Sequence, residues 1–302
     1  VVYVRPPADR FADRESLWEY EVGLLKGMGV NFVRAARTIE HGFYEVCDRE
    51  GMFVAAPMHF LNPRPKEGEP IEHPTAETDI HRTVGELANH PSLVCWYTNG
   101  EGKNAPVARV MSHIAEMIRG SDPARPVLCC ELGWRSPGTV GLVDCDVAGQ
   151  GNYTGWYEGT LEHIGPYMDD YRALLRERYE RPLPILISNY GAAGDYELHT
   201  SSPRRNDYSH EYHTDYHQRY YAEIERRGWL AGGFIFCFRD LNSQQPIPRH
   251  TWKGMLDLED RKKDAYFFYQ SRWTSEPMVH ITQKSWATRD LWRSEEHTSE
   301  LQ

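Results

Sequence analysis

Apolar positions along the chain follow two alternating rhythms. Residues 15–28 place Leu17, Trp18, Val22, Leu24, Leu25 and Met28 at helical spacing, and Gly29 follows as a cap, which predicts an amphipathic helix. Residues 30–33 then read as a strand, 43–50 as a helix stopped by Gly51, and 52–56 as another strand. The same alternation predicts helices over 76–88, 105–118, 166–179 and 211–226. It predicts strands over 1–4, 93–96, 127–130, 146–148, 185–187 and 233–238. Strands and helices that alternate about eight times, with short connections and no internal repeat, indicate a (β/α)8 TIM barrel. A doubly wound open sheet is the runner-up, and the lack of a Gly-rich phosphate loop after the first strand argues against it.

Two stretches break the rhythm. Residues 62–74 are rich in Pro, Glu and Lys and read as an exposed excursion. After Trp273, residues 278–282 form a β run behind a proline, as the first strand of a β-sandwich domain would. The expected division is a barrel over 1–274, the start of a truncated β-sandwich over 275–292, and a tail over 293–302. That tail, RSEEHTSELQ, has no packing logic and resembles the translation of a sequencing-adapter oligonucleotide, so it is set aside as non-native. With Val1 in place of an initiator Met, the expectation is a fragment of a longer protein, assembled from environmental reads and lacking its flanking domains.

Composition narrows the function classes. Among 302 residues, 34 Lys and Arg stand against 44 Asp and Glu, a net charge of −10, which disfavours nucleic acid as a partner. No apolar run approaches the length of a membrane span, so no membrane partner is expected. Aromatics reach 12% of the chain, with nine Trp and eighteen Tyr, a supply that suits a cleft with flat apolar platforms. The six cysteines lie mostly inside apolar runs without a CxxC pair, which predicts buried free thiols and leaves the compartment open.

The candidate chemistry starts at residues 90–101, HPSLVCWYTNGE. A buried strand here ends just before Glu101, and loops leaving the carboxyl ends of strands carry the ligand chemistry in parallel α/β folds. Eight stretches then resemble, in order and spacing, the catalytic barrel of glycoside hydrolase family 2, the β-galactosidase, β-glucuronidase and β-mannosidase group. They are LLKGMGVNFVRAA, FYEVCDREGMFV, HPSLVCW, DPARPV, YTGWY, PILISNYGAAGD, GGFIFCF and GMLDLEDRKKDAYFFYQSRW, and the likeness is strongest to bacterial β-galactosidase-like members. The resemblance implies a carbohydrate substrate, a β-galactoside or related β-glycoside, no organic cofactor, at most an incidental metal ion with no metal-ligating site residue, and partner β-sandwich domains in the parent chain.

It also implies roles. Glu101 falls at the family's acid/base position, although Gly100 stands where an Asn is usual and Asn99 lies one place earlier. The family's Ser-Glu-Tyr-Gly at the seventh strand is Ser188-Asn189-Tyr190-Gly191 here, so Asn189 occupies the nucleophile position, and an amide cannot form a glycosyl ester. Arg37 stands in place of a substrate-binding His, Ala55-Ala56-Pro57 in place of a Trp-Ala-Glu ending, and Phe236 in place of a barrel-floor Trp. Arg34, Arg37, Asn99, Asn152, Tyr153, Trp156, Tyr190 and Phe236 are the expected substrate-binding residues, and Trp134 and Tyr157 are further stacking candidates.

Three readings compete. An active glycosidase would recruit Asp195 or Glu197 as nucleophile, or would use Asn189 to orient a substrate acetamido group. A pseudoenzyme would retain sugar binding alone. A metal site would use His210, His213 and His217, which share one helical face, but without an HExxH-type carboxylate a solvated polar face is the preferred reading.

Overall fold

Eight parallel strands follow one another around a sheet in strict chain order. They are β1 (Val2–Tyr3), β2 (Phe32–Ala35), β3 (Phe53–Pro57), β4 (Leu93–Asn99), β5 (Val127–Leu132), β6 (Val147–Gly151), β7 (Ile185–Tyr190) and β8 (Leu230–Ile235). Helices α1 (Arg14–Gly27), α2 (His41–Glu50), α3 (Ala76–Leu87), α4 (Ala105–Ser121), α5 (Ile164–Arg178), α6 (His210–Glu225) and α7 (Asp264–Trp273) alternate with them, except that among the described residues none lies between β5 and β6. A short antiparallel ribbon, β9 (Leu241–Asn242) with β10 (His250–Thr251), follows β8. The computed structural model describes residues 1–4, 13–37, 39–58, 76–99, 105–132, 143–242 and 250–282. Glu101, Gly100, Trp134, the excursion at 62–74 and the tail at 293–302 lie outside the described residues.

The (β/α)8 barrel expected from the periodicity is therefore the fold, and it nearly closes: past β8, the Phe238 N–H donates to the Val2 carbonyl at 3.0 Å. Inside, Val2, Ala55, Cys95, Tyr97, Leu128, Cys130, Leu186 and Phe234 form one apolar cluster drawn from strands all round the sheet. The alternate positions, such as Val33, Val54, Trp96, Ile187 and Ile235, belong instead to the larger core with residues of the helices. All six cysteines are free and buried, as the sequence predicts.

Capping explains where helices begin and end. Asp13 accepts the Ser16 N–H at 2.8 Å ahead of α1, Ser209 accepts the Tyr212 N–H at 3.1 Å ahead of α6, and Gly51 takes the left-handed conformation that ends α2. The strands run further toward their carboxyl ends than the apolar pattern predicts. β4 continues through Thr98 and Asn99, β6 through Gln150, and β7 through Ser188 and Asn189, because the ladder persists where the side chains turn polar. β8 is shifted the other way, since Leu230 pairs with Ile185, while Phe236, Cys237 and Phe238 leave the strand across a cis peptide bond between Phe236 and Cys237. Residues 278–282 carry no strand, and Val279 and Ile281 are exposed.

At the amino-terminal ends of the strands a polar network ties neighbouring units together. Asp48 accepts the Ser92 N–H at 2.8 Å and meets His90 Nδ1 at 2.6 Å. Asp122 accepts the Trp96 indole N–H at 2.9 Å and pairs with Arg125 at 2.8 Å. Arg125 in turn donates to the Leu93 and Ala88 carbonyls at 2.6 and 2.7 Å, fastening the end of α3 to the start of β4. Although partial burial opposes it, hydrogen bonds from Arg125, Trp96 and Ala124 hold the Asp122 carboxyl below its ordinary range.

Candidate active site at the carboxyl ends of the strands

Arg34 on β2 and Asn189 on β7 are not ladder neighbours, yet the Arg34 guanidinium donates to Asn189 Oδ1. That bond crosses the lumen, so both side chains point inward. Tyr97 on β4 lies beneath the guanidinium, its ring centroid 4.8 Å from the Arg34 Cζ, and its hydroxyl donates to the Ala35 carbonyl. Strict alternation would turn Asn189 outward, since a Cβ on Gly149 would strike the inward Ser188 and Leu128. The pairing register shifts between Ile187 and Tyr190, and this irregularity turns Asn189 inward.

Beyond β7 the backbone runs very close to β8, and a Cβ on Gly191 would lie 2.1 Å from the Phe236 carbonyl oxygen. Only glycine fits there. Lys253, just past β10, sits at the same place, with its carbonyl accepting the Cys237 N–H at 3.2 Å. Its ammonium lies 4.3 Å from the Tyr153 ring centroid and 4.1 Å from that of Tyr157, and it donates to the Tyr157 hydroxyl at 2.8 Å. Trp156 meets Tyr208 edge to face at 5.2 Å, and Tyr208 meets Trp252 at 5.6 Å. Segments leaving β6, β7 and β8 thus meet in an aromatic wall that holds one buried cation.

Beneath this wall lies a buried ion pair. The Lys263 ammonium meets the Asp240 carboxylate at 2.8 Å and also donates to the Gly194 and Trp252 carbonyls. Burial pushes the Asp240 carboxyl up to about 6 even though Lys263 pulls the other way.

A model of the family 2 glycosyl hydrolase TIM barrel domain matches residues 12–277. The chain belongs to glycosyl hydrolase family 2. A "Putative beta-glucuronidase" of Formosa agariphila is 21% identical over 89% of this chain, and a β-galactosidase of Bacteroides ovatus is 20% identical over 87% of it. The chain spans 36% and 37% of the length of these curated relatives. Among solved structures, a β-glucuronidase from Bacteroides uniformis superposes with a TM-score of 0.77 at 23% identity, covering 95% of this chain and 36% of that one. At this identity the superposition speaks for the barrel alone.

The family 2 barrel brings together some of the predicted residues and separates others. Arg34 and Asn189 bond directly, while Tyr153 and Trp156 join Lys253. Asn99 ends β4 with a buried Oδ1 that has no hydrogen-bond partner among the described residues. Asn152 accepts from the Tyr220 hydroxyl at 2.8 Å and from the Thr154 N–H at 3.1 Å, leaving its Nδ2 buried without such a partner. Phe236, expected among the substrate-binding residues, lies at the carboxyl end, one residue past β8 and against the lumen cluster. Tyr190 faces away from the lumen, stacked on Tyr220 at 4.9 Å with its hydroxyl 3.1 Å from that of Tyr269. Arg37 is exposed beyond β2.

The histidine face also differs from expectation. His210, His213 and His217 are buried against β7 and α7 rather than solvated, and His210 Nε2 accepts the Asp264 N–H at 2.8 Å. Burial pushes all three toward the neutral form, His217 down to about 3. Among the described residues no cluster of three or more His, Cys, Asp or Glu could hold a metal ion, and no helix is long and apolar enough to cross a membrane. The residue that sequence reading missed is Lys253: a lone Lys between Trp252 and Gly254 carries no periodic or motif signal, and only the fold sets it among tyrosines.

Proposed function

We propose that the mouth of this family 2 barrel binds a β-glycoside and that the chain does not hydrolyse it by the family's covalent route. The Arg34 to Asn189 bond carries the reading. A retaining glycosidase needs two carboxyl groups roughly 5–5.5 Å apart, one to protonate the leaving oxygen and one to form the glycosyl ester. Glu101 is assigned the acid/base role. At the second position an amide offers no anionic oxygen, and its carbonyl oxygen already accepts from a guanidinium. The nearby acids do not support a replacement: Asp195 Oδ1 accepts the Glu197 N–H at 2.9 Å, and Glu197 pairs with Arg261.

The buried ammonium of Lys253 favours a sugar bearing a carboxylate, as a β-glucuronide does, over a neutral β-galactoside. The relatives carry both names. The parent protein's β-sandwich domains remain part of this proposal, as the expected partners of a barrel that spans about a third of its relatives. Calorimetric titration with p-nitrophenyl β-D-glucuronide and p-nitrophenyl β-D-galactoside, alongside assay of p-nitrophenol release, tests the reading. The expected result is binding without turnover, tighter for the glucuronide. Turnover by the unmodified chain that Glu101→Gln abolishes would contradict it.

A further inference from the structure

Helix α6 carries a tyrosine at every fourth position, Tyr212, Tyr216 and Tyr220, so the three phenols lie along one face. All three are buried, and a buried phenol needs a hydrogen-bond partner. Each hydroxyl finds one in a segment that leaves β6 or β7 at the mouth. Tyr212 donates to the Gly155 carbonyl. The Tyr216 hydroxyl accepts the Gly191 N–H at 3.3 Å. The Tyr220 hydroxyl lies 2.8 Å from Asn152 Oδ1, 3.0 Å from the Asn152 carbonyl oxygen and 3.1 Å from the Thr154 carbonyl oxygen, so its one proton has three acceptors within reach. Asn152 closes the circuit, because its backbone N–H donates to the Asn189 carbonyl at 2.9 Å.

From this arrangement we infer that Tyr220, with Tyr216 beside it, is a positioning residue for the sugar site. It sets the height of the segment bearing Tyr153, Trp156 and Tyr157 relative to Asn189. With Oδ1 held by Tyr220 and by the Thr154 N–H, the flip state of the Asn152 amide is fixed as well. The phenols of α6 act from behind the strands, and none of them is assigned contact with the ligand. The inference rests on the proposed function only for what occupies the mouth.

Tyr220→Phe keeps the ring and its stacking on Tyr190 and Tyr216 while removing the hydroxyl. The matched control is Tyr266→Phe, which removes a hydroxyl bond from Tyr266 on α7 to the Leu24 carbonyl on α1 at 2.9 Å, away from the mouth. Hydrogen exchange of the intact chain is followed by mass spectrometry, and affinity is measured for the two p-nitrophenyl glycosides named above. Tyr220→Phe is expected to speed exchange across residues 152–158 roughly tenfold and to weaken binding of the preferred probe by a similar factor, the scale of one lost hydrogen bond. Tyr266→Phe is expected to leave both unchanged. The inference is overturned if exchange across 152–158 is the same in Tyr220→Phe as in the unmodified chain, or if Tyr266→Phe speeds it equally. Failure of the unmodified chain to bind either probe would sink the proposed function, and the exchange comparison would still decide this inference.

Discussion

At the amino-terminal ends of the strands, Asp48, His90, Ser92, Trp96, Asp122 and Arg125 satisfy one another across α2, α3, α4 and β4. At the carboxyl ends, Asn99 and Asn152 each keep a buried polar atom without a partner among the described residues, and Lys253 is held over tyrosine rings. In the first arrangement each carboxylate is matched by donors from neighbouring elements, and the Ser92 hydroxyl alone of its named groups lacks a partner among the described residues. In the second, Asn99 Oδ1 and Asn152 Nδ2 leave hydrogen-bonding capacity unused among the described residues, which is costly in a buried place unless a ligand uses it. What marks the mouth is that such atoms, on Asn99 and Asn152, lie where strands end, at the side where the Arg34 to Asn189 bond crosses the lumen, whereas the amino-terminal network, at the scaffold end, is built on carboxylate pairs.

The sharpest way to stress the scaffold end is Asp122→Ala. It strands the Trp96 indole N–H and the Arg125 charge together, and urea unfolding is expected to show a loss of about 3 kcal/mol. Affinity at the mouth, measured well below the unfolding midpoint, is expected to be unchanged. If affinity fell in proportion to stability, the two ends would not be separable.

Acid tests the layer behind the mouth. His217 titrates at about 3 in the folded chain against an ordinary 6.5, so between these values the unfolded chain binds a proton that the folded chain refuses. Its contribution to stability is therefore full above pH 6.5 and is lost as pH falls toward 3, at up to about 1.4 kcal/mol per pH unit. Asp240, raised from 3.8 to about 6, works in the opposite sense, since its folded form takes up a proton first and gains relative stability as pH falls through that window. His217→Leu is expected to flatten the stability profile between pH 6 and 4 in denaturant titrations; an unchanged slope would show that His217 does not titrate in this way.

A smaller effect is expected from Lys253→Gln. Loss of the ammonium should cut affinity for p-nitrophenyl β-D-glucuronide roughly tenfold, about 1.4 kcal/mol, while leaving affinity for the galactoside nearly as it was. An equal loss for both would make Lys253 a support for its tyrosines rather than a reader of sugar charge.

The scaffold end was the more legible part of the sequence, for a physical reason. HPSLVCW, DPARPV and FYEVCDREG contain the residues that bond one another there, Ser92, Trp96, Asp122, Arg125 and Asp48, so the motif and the contact coincide. Helical periodicity likewise located α1 and α2 to within two residues, because their buried faces are apolar. The mouth was legible only in part. The placement of Asn189 near the end of a strand could be read, but the register shift that turns it toward Arg34 lies in strand pairing, which periodicity does not encode. Tyr190, one residue on, was expected at the substrate and instead faces α6, as a shift of one position on a strand dictates. The histidines of α6 were expected to be solvated because they are polar, and they are buried because that face packs beneath the mouth.

The central proposal is that this family 2 barrel carries an amide, Asn189, at the position of the nucleophile. The most direct test is p-nitrophenol release from aryl β-D-glucuronide and β-D-galactoside by the unmodified chain, by Asn189→Glu, and by Asn189→Glu with Glu101→Gln. The prediction is no turnover from the first, a gain of roughly 10³-fold or more over it in the second, and its loss in the third. Turnover by the unmodified chain at the level of Asn189→Glu would contradict it, because the carboxylate at position 189 would then be dispensable.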